Sequence, residues 1–326
     1  MSQSVNPDRV RQSRLAWVSR SSLAWVIGIA LLIGLVAIIH FSVGWESLLT
    51  PWKAIRAEIL AAALGLVLGS YGVRTIRIHT YFHPATSGRF FRTFRVVLVH
   101  NLLNTLLPMR SGEASFPVLM AREFRVPFSR SIPGLVYLRM LDLHYVLFLG
   151  VAVLSWRQGG LSWVLALCLA PIPYWLFRAQ GWLGPRLLDR SGLISRMGRD
   201  ALEGLPATSG LFWTTWIWTA MNWTVKLAVL AWILRAFTPM PFSHALLGST
   251  TGELSSVLPF HGIAGAGTYE AGVLAGLVPL GVAPEAALKA AVNLHLFVLG
   301  ASILAGALAA LFPFSRKNPD ESSGHS

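Results

Sequence analysis

Charged side chains stand inside stretches of this chain that are otherwise apolar. Arg110 and Glu113 interrupt the stretch 96–121, Arg139 and Asp142 lie within 131–156, Lys226 within 210–237, and Glu253 and Glu270 within 244–281. A carboxylate or cation held away from water is expensive, so each is a functional candidate, as a proton carrier or as a partner for a lipid headgroup. Arg139 and Asp142 are three residues apart and share a helical face, where they can pair. A structural lock and a transport gate stand as equal readings of that pair, because losing one partner of a buried pair is strongly destabilising. Lys226 shares a face with Asn222 and needs a carboxylate or cavity water, for which Glu270 and Glu253 are the candidates. The histidines His100, His144, His261 and His295 show no metal-binding spacing and read as core residues, so no metal is expected. Cys168 is the single cysteine, which excludes an internal disulfide and a cysteine-based metal site.

Two backbone features accompany the charges. Pro108-Met109-Arg110-Ser111-Gly112 breaks the first of these stretches and Pro259-Phe260-His261-Gly262 breaks the last. After each break a helix is expected to restart, at Ser111-Gly112-Glu113 and at Gly267-Thr268-Tyr269-Glu270, with Ser111 and Thr268 as N-caps. Both helix starts would present free N–H groups and partial positive charge, a setting for an anionic group, with Arg110 reinforcing the first. Glu113 and Glu270 also have an ordinary role as first-turn acids, worth roughly 0.3 to 1 kcal/mol on an exposed helix. The run from Gly262 through Gly265 to Gly267 superficially resembles a dinucleotide loop, but it follows no β-strand, and small residues at a hairpin tip explain it better.

The elements that must position these residues are membrane helices. Of 326 residues, 54% are hydrophobic and only 13% charged, against about 25% charged in soluble domains. The mean hydropathy is +0.58. A cytosolic enzyme, a coiled coil and a disordered chain are all disfavoured. A helix needs ~20 apolar residues to cross the hydrocarbon, which predicts six spans at 23–41, 57–73, 131–156, 161–177, 210–237 and 285–312. The stretches 96–121 and 244–281, each broken, are expected to be re-entrant hairpins. Non-helical backbone at that depth must line protein or a wet cavity.

The net charge is +13, yet basic patches interleaved with aromatic residues are absent, so nucleic acid is excluded and anionic lipid headgroups are the expected counterions. Sorted by loop, 19 of the 27 basic residues fall on one side of the predicted topology and only Lys53, Arg56 and Arg157 on the other. The positive-inside rule then makes both termini cytoplasmic. Residues 1–22 read as a basic cytoplasmic segment followed by a retained anchor, 23–313 as a single integral membrane domain, and 314–326 as a disordered tail. The segment 178–209, with Arg186, Arg190, Arg196 and Arg199, reads as an amphipathic linker on anionic lipid. An offset of 151 residues relates Pro108 to Pro259 and His144 to His295, which predicts two repeat units, about 96–156 and 244–312. With opposite sides of entry they would form an inverted repeat, as in many secondary transporters. At that offset Arg139 and Asp142 answer to Ala290 and Asn293, so the halves would differ chemically.

At these residues the chain resembles the transmembrane, flippase-like region of the lysylphosphatidylglycerol synthase family. Leu107-Pro108 followed by Gly112-Glu113, Val136-Tyr137-Leu138-Arg139-Met140-Leu141-Asp142, and Leu258-Pro259 followed by Gly265-Ala266-Gly267-Thr268-Tyr269-Glu270-Ala271 carry the resemblance, with Leu280-Gly281-Val282 after them. It implies a domain that moves a phospholipid or related lipid between leaflets. Full-length synthases continue into an aminoacyltransferase domain. This chain ends 14 residues after its last predicted span, so no aminoacylation is expected of it, and a separate lipid-modifying enzyme is a candidate partner. The family's first motif places an Arg three positions after Gly-Glu, where this chain has Phe116.

The resulting expectation is an all-α polytopic membrane protein, six spans plus two re-entrant hairpins, acting as a lipid translocase in a bacterial-type inner membrane without cofactor or metal. Arg110, Gly112, Glu113, Arg139, Asp142, Lys226, Gly265, Gly267, Thr268 and Glu270 are its expected transport residues. Two other readings are a membrane enzyme on lipid-linked substrates, with Glu113 or Glu270 as general base, and a non-catalytic subunit of a lipid-modifying or glycosyltransferase complex.

Overall fold

The structure, a computed structural model, describes residues 26, 29–160, 162–188, 202–256 and 262–312. The basic segment 1–22, Pro259 and His261 of the second break, Arg190, Arg196 and Arg199 of the linker, and the tail 314–326 lie outside them.

Long apolar runs make long helices, because only a helix satisfies every backbone N–H and C=O internally in hydrocarbon. Helices α1 (Ile29–Phe41) and α2 (Trp45–Ala54) are followed by α3 (Ala57–Tyr81), α4 (Phe90–Leu106), α5 (Ser115–Phe124), α6 (Phe128–Gln158), α7 (Ser162–Leu169), α8 (Ile172–Leu188), α9 (Ser209–Phe237), α10 (Phe242–Ser255), α11 (Thr268–Leu277) and α12 (Pro284–Ala309). All regular structure among the described residues is helical.

Five helical stretches there are long and apolar enough to cross a membrane: α3, α6, α9, Ile263–Leu280 and α12. Two bent pairs raise the number to seven if each is one span. The predicted spans 57–73, 131–156, 210–237 and 285–312 are single helices, whereas those at 23–41 and 161–177 each join a second helix through a bend. The α1–α2 bend is 84°, at Gly44 with φ +77°, and the α7–α8 bend is 41°. Pro171 stands at the second bend; its missing N–H and its clash with the preceding residue interrupt the helix there. In the stretch 96–121 the expected break is present as a 3-10 segment, Pro108–Ala114, between α4 and α5. In 244–281, Ile263–Leu280 is the part of the described residues long and apolar enough to cross a membrane, and the six-plus-two count is not reproduced.

The chain divides into two compact units. The first comprises Met1–Leu60, Asn104–Gly112 and Leu230–Leu299; the second comprises Ala61–Leu103, Glu113–Val229 and Gly300–Ser326.

Within the first unit, α10 and α11 lie against one another on small residues. A methyl group added at Gly276 would stand 3.0 Å from the Gly248 Cα, one at Gly272 would stand 2.7 Å from the Thr251 carbonyl oxygen, and one at Gly252 would stand 2.7 Å from Val273. Gly248 and Gly252, and Gly272 and Gly276, are each four residues apart, the spacing that lets two membrane helices bring their backbones together. In the same unit Asn293 of α12 fixes α2. Its amide donates to the Leu48 carbonyl at 2.9 Å, and its oxygen accepts the Trp52 indole N–H at 2.6 Å.

Within the second unit the core gathers Ile78, Phe82, Val96, Phe116, Met120, Tyr137 and Leu141. Phe116, standing where the family pattern has an arginine, is fully buried, with its ring 5.8 Å from that of Phe82 and 5.4 Å from that of His100. Tyr81 and Tyr137 stack beside it, and the Tyr137 hydroxyl is 2.8 Å from that of Thr215 on α9.

Candidate functional site

In the second unit Asp142 of α6 is the hub. Its carboxylate takes two hydrogen bonds from the Arg77 guanidinium of α3, at 2.6 and 3.3 Å, one from the Trp223 indole of α9 at 2.8 Å, and one from Arg139 at 3.3 Å. Such a two-pronged Arg–carboxylate pair is strong and orientationally fixed. Arg77 also donates to the Thr219 hydroxyl at 2.7 Å. Arg77 and Asp142 are each 2% exposed.

Arg139 reaches in two directions. Besides Asp142, it holds Glu113 at 3.0 Å and donates to His100 Nε2 at 3.0 Å. A guanidinium has no acceptor, so His100 Nε2 must accept. The ring proton therefore resides on Nδ1 and donates to Ser115 Oγ, 2.9 Å away. His100 Nε2 also lies 3.6 Å from the Glu113 carboxylate.

Arg74, one helical turn before Arg77, is buried, donates to Asn101 at 3.2 Å and lies 5.9 Å from the Trp223 ring. Lys226 is buried on the same indole, its Nζ 5.0 Å from the ring centroid, a cation–π contact. Asn222, one residue before Trp223, is fully buried, and neither its amide oxygen nor its amide nitrogen has a hydrogen-bond partner. Three guanidiniums, Arg74, Arg77 and Arg139, thus face two carboxylates, Glu113 and Asp142, with Lys226 on the indole that joins them.

The first unit contains a second, smaller constellation. Glu270 of α11 holds His295 of α12 at 2.6 Å through Nδ1, and His295 Nε2 lies 2.7 Å from the Ala264 carbonyl oxygen. The other Glu270 oxygen accepts the Gly267 N–H at 2.8 Å, which caps α11. Gly267 has φ +81°, a conformation glycine adopts without strain. The Tyr269 ring packs on that of His295 at 4.7 Å, and Glu253 of α10 is buried.

Of the ten sequence-predicted site residues, Glu113, Arg139 and Asp142 come together in the second unit, with Lys226 on Trp223. Gly265, Gly267, Thr268 and Glu270 come together in the first, where Arg110 and Gly112 also belong. Arg110 lies on the 3-10 segment with φ +53°.

Both expected N-caps are corrected. Ser111 sits inside the 3-10 segment, and α5 starts only at Ser115, with no side chain capping it. Thr268 instead donates its hydroxyl to the Gly265 carbonyl at 3.0 Å, and the capping acceptor is Glu270. The offset of 151 residues pairs positions with unequal roles. His144 binds only the Leu169 carbonyl among the contacts described, whereas His295 binds Glu270. Asp142 and Asn293 do share one role, each accepting an indole N–H, from Trp223 and Trp52 respectively.

Arg74, Arg77, His100, Trp223 and His295 are the members that sequence reasoning did not place in a site. For the arginines a signal was present. Beyond the predicted end at 73, Ile76 and Ile78 continue the apolar pattern past Arg74, and the helix runs to Tyr81.

Helices of this length and hydropathy, with an ion network joining their side chains, define an integral membrane protein of the helical type. The sequence profile of the family described as "Lysylphosphatidylglycerol synthase TM region" matches residues 25–306, and the chain belongs to that family. Membership implies a role connected with membrane lipid. No curated protein and no solved structure matches the chain.

Proposed function

We propose that the chain is a lipid translocase, carrying a phospholipid or related lipid between the leaflets of a bacterial-type inner membrane with both termini cytoplasmic. The observation that carries this reading is the surplus of positive charge within one cluster of described residues in the second unit, Arg74, Arg77 and Arg139 against Glu113 and Asp142, of which Arg74, Arg77 and Asp142 are buried and Arg139 and Glu113 partly exposed. Unbalanced charge away from water is costly unless something neutralises it. In a chain of a membrane lipid family, the fitting anion is a headgroup phosphate. Guanidinium donors and Lys226 would hold it, and the buried, unpartnered amide of Asn222 would take a polar group beside it. The acyl chains would remain in lipid. No bond need be made or broken, and no residue is assigned a catalytic role.

The test is leaflet exchange in reconstituted liposomes. Labelled phospholipids and polyprenyl phosphates should exchange faster with the protein than without it for at least one anionic lipid. Arg74→Gln, which removes a cation outside the Asp142 hub, should slow that exchange by roughly tenfold, equivalent to about 1.4 kcal/mol. Exchange unchanged by the protein for every lipid overturns the reading.

A further inference from the structure

The Glu270–His295 pair has a proton count that its geometry dictates. His295 Nε2 faces the Ala264 carbonyl oxygen at 2.7 Å, and a carbonyl can only accept, so Nε2 carries a proton. Nδ1 faces Glu270 Oε1 at 2.6 Å, a contact that needs one further proton between the two atoms. The second carboxylate oxygen already accepts the Gly267 N–H. Whether the shared proton rests on nitrogen or on oxygen, the pair as a whole is neutral, which suits its burial: Glu270 is 3% exposed and His295 9%.

Removing that proton leaves a net charge of −1 and one ring proton for two acceptors. If Nε2 keeps it, the Nδ1 lone pair faces a carboxylate at 2.6 Å. If Nδ1 keeps it, the Nε2 lone pair faces the Ala264 carbonyl, and the turn Ile263–Gly265 loses its hold. Ala264 there has φ +52°, a left-handed conformation that a side chain disfavours. Deprotonation must therefore open either the α11–α12 link or the turn that precedes α11. Among the described residues, the other titratable groups facing the pair are Glu253 of α10 and Tyr269 of α11.

We propose that Glu270 and His295 form a proton-binding site that couples lipid translocation to a transmembrane proton gradient, with the proton taken up and released at the shared Oε1–Nδ1 position and the Ile263–Gly265 turn as the part that responds. This rests on the translocase reading. Its geometry contrasts with that of His100, whose Nε2 faces the Arg139 guanidinium in the second unit.

The experiment uses the full chain in liposomes of mixed anionic and zwitterionic phospholipid, with lipid distribution measured at zero and at imposed pH gradients. For one proton per lipid, the leaflet distribution should shift about tenfold per pH unit of gradient. Glu270→Gln keeps a carbonyl oxygen for Gly267 and offers an N–H to His295, so it mimics the loaded state and should abolish the dependence on the gradient. Exchange in wild type that is indifferent to the gradient overturns the coupling and leaves translocation standing. Absence of all exchange removes translocation, and nitrogen-15 NMR of the imidazoles in wild type then decides the site. Two protons in the pair at neutral pH, one lost on raising pH together with a shift at Ala264, support it; a single proton on Nδ1 throughout overturns it.

Discussion

The two polar constellations solve the same problem in opposite ways. The second unit keeps its charges and distributes them over a network: Asp142 alone is shared by Arg77, Arg139 and Trp223. The first unit carries a carboxylate–imidazole pair whose one shared proton leaves it neutral. A network with surplus cations is suited to hold an anion without changing protonation. A neutral pair is suited to change protonation without holding anything larger than a proton. What separates them is the group that each histidine's Nε2 meets at hydrogen-bond distance, a guanidinium at His100 and a backbone carbonyl at His295.

The sharpest way to break the comparison is to remove the hub. Asp142→Ala strands the buried Arg77, takes from Arg139 one of its two carboxylate partners, and is expected to destabilise the protein by about 3–5 kcal/mol, read as a lower unfolding midpoint in detergent. Thr219→Val takes from Arg77 a neutral acceptor only and should cost about 1.5–3 kcal/mol in the same measurement. In the first unit, Gly276→Val presses a branched side chain onto the Gly248 backbone and should cost about 1–3 kcal/mol. Glu270→Gln, which preserves both hydrogen bonds of the neutral pair, should cost about 1 kcal/mol or less. A loss at Glu270→Gln as large as that at Asp142→Ala would show that the pair carries separated, mutually dependent charges, and the contrast would collapse.

Much of the bundle was legible because hydrocarbon imposes a length. Helices α3, α6, α9 and α12 follow from apolar runs, and the break after Leu107 follows from Pro108. The Arg139–Asp142 contact followed from their spacing, and the burial of Glu270 from the apolar stretch around it. Partners distant in sequence were not legible. Nothing local in α3 says that Arg77 meets Asp142, 65 residues on, or that His295 meets Glu270. Ending the span before Arg74 also misassigned two cations. Arg74 and Arg77 were counted among the basic residues of one loop, but both are buried side chains of a helix that runs past them. The predicted N-caps failed for a related reason. Spacing identifies a residue able to cap, but Glu270 reached the Gly267 N–H and the chain before Ser115 coiled into a 3-10 segment.

The bare backbones that meet at Gly248, Gly252, Gly272 and Gly276 leave little room for α10 to slide along α11. Two rods zipped in this way behave as one lever. A tug at its tip, where the chain turns through residues 263–267, would be delivered at Leu277 with little lost to bending, so a displacement the size of one hydrogen bond could be felt along the whole arm.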